Sequence, residues 1–98
     1  MSVSYIIRPR ARQDIDDAYD WYESQAVGRG DLFLIELRQL VDAICQTPEL
    51  YGRVYGDLRA APLPDSNFIV YYQIEATNIS VYAVIHATAH PRKWQRRR

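Results

Sequence analysis

The apolar residues of this chain change period once, near residue 48, and that change limits the folds open to it. On the N-terminal side Ala11, Ile15, Ala18 and Tyr22 fall at i, i+4, i+7 and i+11, one helix face, widened by Tyr19. Phe33, Leu37, Leu40, Val41 and Ile44 repeat the spacing and mark the buried face of a second helix, with Cys45 beside it. Pro9 suits the first turn of the first helix, where its missing N–H costs nothing. Acids crowd the first turns, where the helix dipole favours them. Gly28-Arg29-Gly30 breaks the pattern, Asp31 is the expected N-cap of the second helix, and Thr47-Pro48 stops it. So short a link predicts an antiparallel helical hairpin.

Beyond residue 48 the residue types favour strands. Phe68–Ile74 and Ile79–Ile85 are dense in β-formers and are separated by Glu75-Ala76-Thr77-Asn78, a turn-length link, so they should pair as a hairpin. Arg53–Ala61 is a weaker strand candidate, interrupted by Gly56-Asp57, and Pro62, Pro64 and Asp65-Ser66-Asn67 are loop residues. Val3, Tyr5 and Ile7 alternate as a short N-terminal strand. The predicted class is α+β: one strand, an antiparallel helical hairpin, then an antiparallel meander of about three strands in a two-layer domain. The 98 residues suffice for one domain, with 92–98 a basic C-terminal tail. Tyr71 and Tyr72 are adjacent, so one should enter the core and the other stay exposed.

The net charge of zero is a cancellation. Residues 1–12 carry +3, residues 13–50 carry −7 and residues 51–98 carry +4. Eleven of the twelve bases are arginine, which favours bidentate recognition of anions. No apolar run can span a bilayer or serve as a signal peptide, so the expected compartment is the cytoplasm, with no membrane partner. A single cysteine excludes an intramolecular disulfide, and with two histidines it leaves no zinc-type cluster. No Gly-rich phosphate loop, paired-histidine motif or nucleophile setting is present. Neither a metal, a cofactor nor a small-molecule substrate is expected, and Cys45 reads as a core thiol.

A few residues remain as candidates. Arg59 opens a strand, His86 ends the last one, and His90 sits in an expected loop. Trp94 lies among Arg92, Lys93, Arg96, Arg97 and Arg98. It can stack on a base while the arginines hold phosphates, or fold back to anchor the tail.

In order, Tyr5-Ile6-Ile7, Ala11-x-x-Asp14-Ile15, Ala18-Tyr19-Asp20-Trp21-Tyr22, Leu58-Arg59, Ile69-Val70-Tyr71-Tyr72-Gln73-Ile74, Val81-Tyr82-Ala83-Val84-Ile85-His86 and Pro91-Arg92-x-Trp94 form a set. Over about residues 3–95 that set resembles the RelE/ParE superfamily of type II toxin–antitoxin toxins, also called plasmid stabilisation proteins. The resemblance implies a growth-inhibiting toxin held by a cognate antitoxin. ParE-like members poison DNA gyrase; RelE-like members cut messenger RNA on the ribosome with basic residues and a tyrosine.

Relatives usually carry an arginine where this chain has Ala87-Thr88-Ala89-His90, and its absence removes a cation over the scissile phosphate. A neutral chain also gives up much of the phosphate attraction that docking on a ribosome would use. The gyrase-directed reading is therefore preferred. The ribonuclease alternative would draw on Arg59, Tyr72, His86, His90 and Arg92, and a third possibility is a non-toxic binding module. For the preferred reading the expected target-binding residues are Arg59, Arg92, Lys93, Trp94, Arg96, Arg97 and Arg98, with Arg59 and Arg92 forming one cationic site on the open side of the sheet. Tyr19, Trp21 and Phe33 are the expected antitoxin anchors.

Overall fold

In the computed structural model, which describes residues 3–97, the chain runs through β1 (Ser4–Ile7), α1 (Pro9–Gln25), α2 (Arg29–Gln46), β2 (Arg53–Tyr55), β3 (Leu58–Pro62), β4 (Phe68–Ile74), β5 (Asn78–His86) and α3 (Pro91–Gln95). The strands form one sheet in the order β1-β5-β4-β3-β2. β2 to β5 pair antiparallel, and β1 joins the far edge parallel to β5, with Ser4 opposite Asn78 and Ile7 opposite Val81. The α+β architecture is the expected one. The meander has four strands, because the weak segment at 53–61 folds on itself: Gly56 takes a left-handed turn conformation at φ 56°.

The two helical stripes meet the sheet as their spacing predicts. Ala11, Ile15 and Ala18 of α1 and Phe33, Leu37, Leu40, Val41, Ile44 and Cys45 of α2 are buried against Val70, Tyr72, Ile79, Val81 and Val84. Tyr22, Phe33 and Phe68 stack and tilt against one another at one end of this core. Pro9 occupies the first turn of α1, and α2 stops before Thr47-Pro48. The first turn of α1 holds no acid, since Asp14 and the others begin one turn later. The second cap also differs. Gly28, at φ 90°, precedes α2, while Asp31 lies in its first turn and accepts a hydrogen bond from the Tyr19 hydroxyl at 3.2 Å. Glu23 serves the link instead, its Oε1 accepting from the N–H groups of Gly28 at 3.0 Å and Gly30 at 2.8 Å.

The other face of the sheet carries a second apolar layer of Leu58, Tyr71, Ala83 and Ile85, closed by Ala89 and Trp94. The Trp94 ring stacks on Tyr71 at 4.5 Å with an interplanar angle of 10°. Tyr71 and Tyr72 are therefore both buried, against the expectation that one stays exposed: the sheet is covered on both sides here. β5 carries a bulge. Tyr71 faces Ala83 and Tyr72 faces Val81, so Tyr82 is an extra residue and lands on the same face as Ala83.

Candidate functional site

The C-terminal segment is docked on the sheet. β1 pairs with β5 only as far as Val81, which leaves the β5 edge without a strand partner beyond it. A salt bridge finishes that edge. Asp14 Oδ2 accepts from the Val84 N–H at 3.0 Å, and Arg97 donates to the Tyr82 carbonyl at 3.1 Å. Arg97 also donates to both Asp14 oxygens, at 2.7 and 3.1 Å. The two side chains are only 4% and 10% exposed, so Arg97 is engaged inward and its charge is answered by Asp14. Arg97, expected among the target-binding residues, is corrected here: its guanidinium is taken up by Asp14 and the β5 edge. Trp94 is likewise committed to Tyr71, which decides between its two readings in favour of the anchor.

The remaining bases of this segment face out. Arg92, Lys93 and Arg96 are exposed, and with Arg10 and His90 they line a shallow cleft of about 430 Å³. His90 precedes α3 and is held there by its Nδ1, which accepts from the Arg92 N–H at 3.2 Å. Arg98 lies outside the described residues.

Arg59 takes no part in this surface. Strand alternation puts Leu58 and Ala60 on the Trp94 face, and Arg59 on the opposite face beside Tyr72. There its guanidinium donates to the carbonyls of Tyr51 at 2.6 Å and Glu49 at 3.5 Å. The expected Arg59–Arg92 site on the open side of the sheet does not form, because the strand turns the two residues to different faces.

The ribonuclease candidates are likewise scattered. Tyr72 is fully buried, its hydroxyl donating to the Pro48 carbonyl at 2.6 Å, and burial pushes its phenol up to about 12 although Arg59 pulls the other way. Such a phenol stays protonated at neutral pH. His86 lies across from Phe68, four positions along β4 from Tyr72, about 13 Å at ~3.3 Å per residue. Its Nδ1 contacts the Thr88 hydroxyl at 2.7 Å and its ring meets Phe68 edge-on. His90 and Arg92 stand in the basic cleft. These five residues do not converge on one substrate position.

A second feature lies at the linked end of the hairpin. Trp21, Tyr22, Arg29, Phe68, His86 and the Pro64–Asn67 loop enclose a groove of about 700 Å³. Trp21 is 55% exposed over it, and Tyr19 is half-buried. Phe33 is 3% exposed and belongs to the core, so it is corrected as a surface anchor: a residue on the buried stripe of α2 is not free for a partner. What sequence periodicity missed is the opposite side of α2, where Leu32 and Ile35 are 59% and 53% exposed. The signal was there, since two large aliphatics lie off the buried stripe one turn apart.

A third polar cluster sits where β1 leaves the sheet. Glu75 accepts from Ser80 at 2.7 Å, from Tyr82 at 3.0 Å and from Arg8 at 3.5 Å, and Arg8 lies over the Tyr82 ring. The Ser80 and Tyr82 hydroxyls, then Arg8, hold the Glu75 carboxyl below its usual range. Burial, then Glu75, pushes the Tyr82 phenol up. Every member is satisfied by another, so the cluster fastens β5 to the start of α1. No group of three or more potential metal ligands occurs among the described residues.

A profile of the family described as the ParE toxin of the type II toxin–antitoxin system parDE matches residues 5–91. The chain belongs to the ParE toxin family. It is similar in fold to a solved structure described as the chromosomal ParDE TA system from P. aeruginosa, with a TM-score of 0.77 and 17% identity over 87% of this chain and 96% of that one. No curated protein matches the sequence significantly. In this ParE-family chain the matched region holds the hairpin and the sheet except Ser4 and stops at Pro91, so α3 beyond its first residue lies outside it. Among the described residues no helix is long and apolar enough to cross a membrane.

Proposed function

We propose that this ParE-family chain poisons DNA gyrase in the cytoplasm and is silenced by a cognate antitoxin laid along its helical hairpin. Membership of the ParE toxin family over residues 5–91 carries the reading. The hairpin supports the antitoxin half. Trp21, Leu32 and Ile35 are large, exposed and apolar, and Trp21 lines a groove with aromatic walls. Exposed Asp16, Asp17 and Asp20 add negative charge to α1. An amphipathic segment with apolar anchors and basic residues between them fits that surface. The target half is assigned to the C-terminal segment, where Arg92, Lys93 and Arg96 project from α3 and its C-cap and Trp94 holds that helix on the sheet.

The test uses the purified full chain in a gyrase supercoiling assay and in a ribosome-dependent messenger cleavage assay. Supercoiling should be inhibited, and the small protein encoded beside this chain should restore it by forming a sub-micromolar complex. Messenger cleavage with gyrase untouched would overturn the gyrase assignment in favour of RelE-like chemistry. Failure to form the complex at physiological salt would remove the antitoxin half.

A further inference from the structure

Overall neutrality hides a local concentration of charge. Arg10 in the first turn of α1 and Arg92, Lys93 and Arg96 around α3 meet at one cleft, with His90 on its rim. None of these four cationic side chains has a hydrogen bond or ion pair among the described residues. Several other bases are answered locally: Arg8 by Glu75, Arg38 by Asp42, Arg53 by Asp57 and Arg59 by two carbonyls. Arg29 lies over the Tyr22 ring, and Arg12, like the cleft bases, has no such partner among the described residues. Asp14, whose charge would oppose an anion beside this cleft, is taken up by Arg97. Asp17 lies with Lys93 along the neighbouring recess and is hydrogen-bonded by Gln13 at 2.9 Å. Four unanswered cations held close on two helices repel one another, and an anionic ligand relieves that repulsion.

The shape of the cleft and its lining define the ligand. It is shallow and open, which suits a chain of phosphates passing across it more than an enclosed small anion. Three of its four cations are arginines, which bind phosphate oxygens in a bidentate fork. No Trp, Tyr or Phe lines it, since Trp94 is stacked on Tyr71, and the His90 imidazole is the one ring at its rim, so it offers a run of bases no stacking platform. We propose that the Arg10–Arg92–Lys93–Arg96 cleft binds a phosphodiester backbone without reading its sequence. The toxin would thereby touch nucleic acid directly, with no gyrase present.

Fluorescence anisotropy with the full chain tests this on two labelled probes of about 20 nucleotides per strand, a DNA duplex and an RNA of matched sequence. Four phosphate contacts predict a log–log salt slope of about −3 to −4, a loss of affinity of about a hundredfold between ~50 and ~200 mM potassium chloride. The Arg10→Gln/Lys93→Gln protein should keep its melting temperature and halve the slope, losing only about tenfold over that range. Arg38→Gln, on the far side of the hairpin pair, should behave as the parent. Tighter binding of one probe identifies DNA or RNA as the source of the phosphates, and either supports the proposal. Absence of binding at the lowest salt, an unchanged slope in the double variant, or equal competition by a polyglutamate of the same charge would overturn it. Because gyrase is absent from these measurements, their failure leaves the gyrase assignment standing, and loss of gyrase inhibition leaves this site standing.

Discussion

Arg97 clasps Asp14 with hydrogen bonds of 2.7 and 3.1 Å across 83 residues of sequence, and together they satisfy the β5 edge that β1 does not reach. Both side chains are nearly buried, so removing one strands the other as an unpaired charge. Arg97→Ala or Asp14→Ala should each cost about 3–5 kcal/mol in urea unfolding. The double replacement should cost clearly less than the two singles added together. Deleting 92–98 would remove this clasp and uncover Tyr71, so it measures folding before it measures target binding.

Substitution of Lys93 and Arg96 by glutamine is the cleaner probe of the target surface. Both side chains are exposed, so stability should stay within ~0.5 kcal/mol of the parent. Gyrase inhibition should fall at least about tenfold. Retained inhibition in the supercoiling assay would take these two bases out of the target surface.

Arg59→Ala should act on stability. Its guanidinium holds the carbonyls of Tyr51 and Glu49, so the loss should be about 2 kcal/mol, seen as a lower midpoint of urea unfolding. Inhibition per folded molecule should not change, since Arg59 faces away from α3. Loss of inhibition without loss of stability would return it to the target surface.

The antitoxin surface is tested by Trp21→Ala and Ile35→Glu. Trp21 offers a large aromatic anchor, and a carboxylate at 35 adds repulsion and desolvation to an apolar contact. Each should weaken the complex at least about tenfold by calorimetry and leave gyrase inhibition by the free toxin intact. Equal affinity in both variants would move the antitoxin off the hairpin.

Glu75 predicts the acid limb of stability. Its folded carboxyl binds protons less readily than the unfolded one, because Ser80, Tyr82 and Arg8 favour the charged form. The unfolded chain therefore takes up more protons as the pH drops, and stability falls with it. This contribution is complete above the ordinary glutamate value of about 4.3 and is lost as pH falls through the lower folded value. Glu75→Gln should lower the melting temperature near neutral pH and flatten its decline below about pH 4.3. A decline as steep as the parent's would show that other acids set the limb.

Much of this fold was legible because burial follows a period. The stripes at 11, 15 and 18 and at 33, 37, 40, 41 and 44 are the buried faces of α1 and α2, and the two β-rich runs are β4 and β5. What escaped depends on contacts far apart in sequence or on which way a strand faces. Asp14–Arg97 is an ordinary acid and an ordinary base until the fold joins them. Leu58, Ala60 and Ala61 are all apolar, so their pattern does not say which face Arg59 takes; pairing with Tyr72 decides it. Tyr71 is buried only because Trp94 covers it, and the bulge at Tyr82 puts two neighbours on one face against simple alternation. The basic cleft was half visible: 92, 93 and 96 are a charge run, while Arg10 joins them only in three dimensions.

β1 is the first strand of the chain and finds its partner only in the last. Its four residues pair with 78–81 and with no other strand, and their parallel register cannot be reached by a local turn. During synthesis the helical hairpin has all its own residues early, whereas β1 waits until β5 exists. A contact of such sequence separation forms slowly and after local structure. The finished sheet edge, and with it the α3 surface that the edge supports, is therefore a late product of translation, so a nascent chain passes through a stage that presents the hairpin before it presents the basic side. An antitoxin that recognises the hairpin has the earlier opportunity.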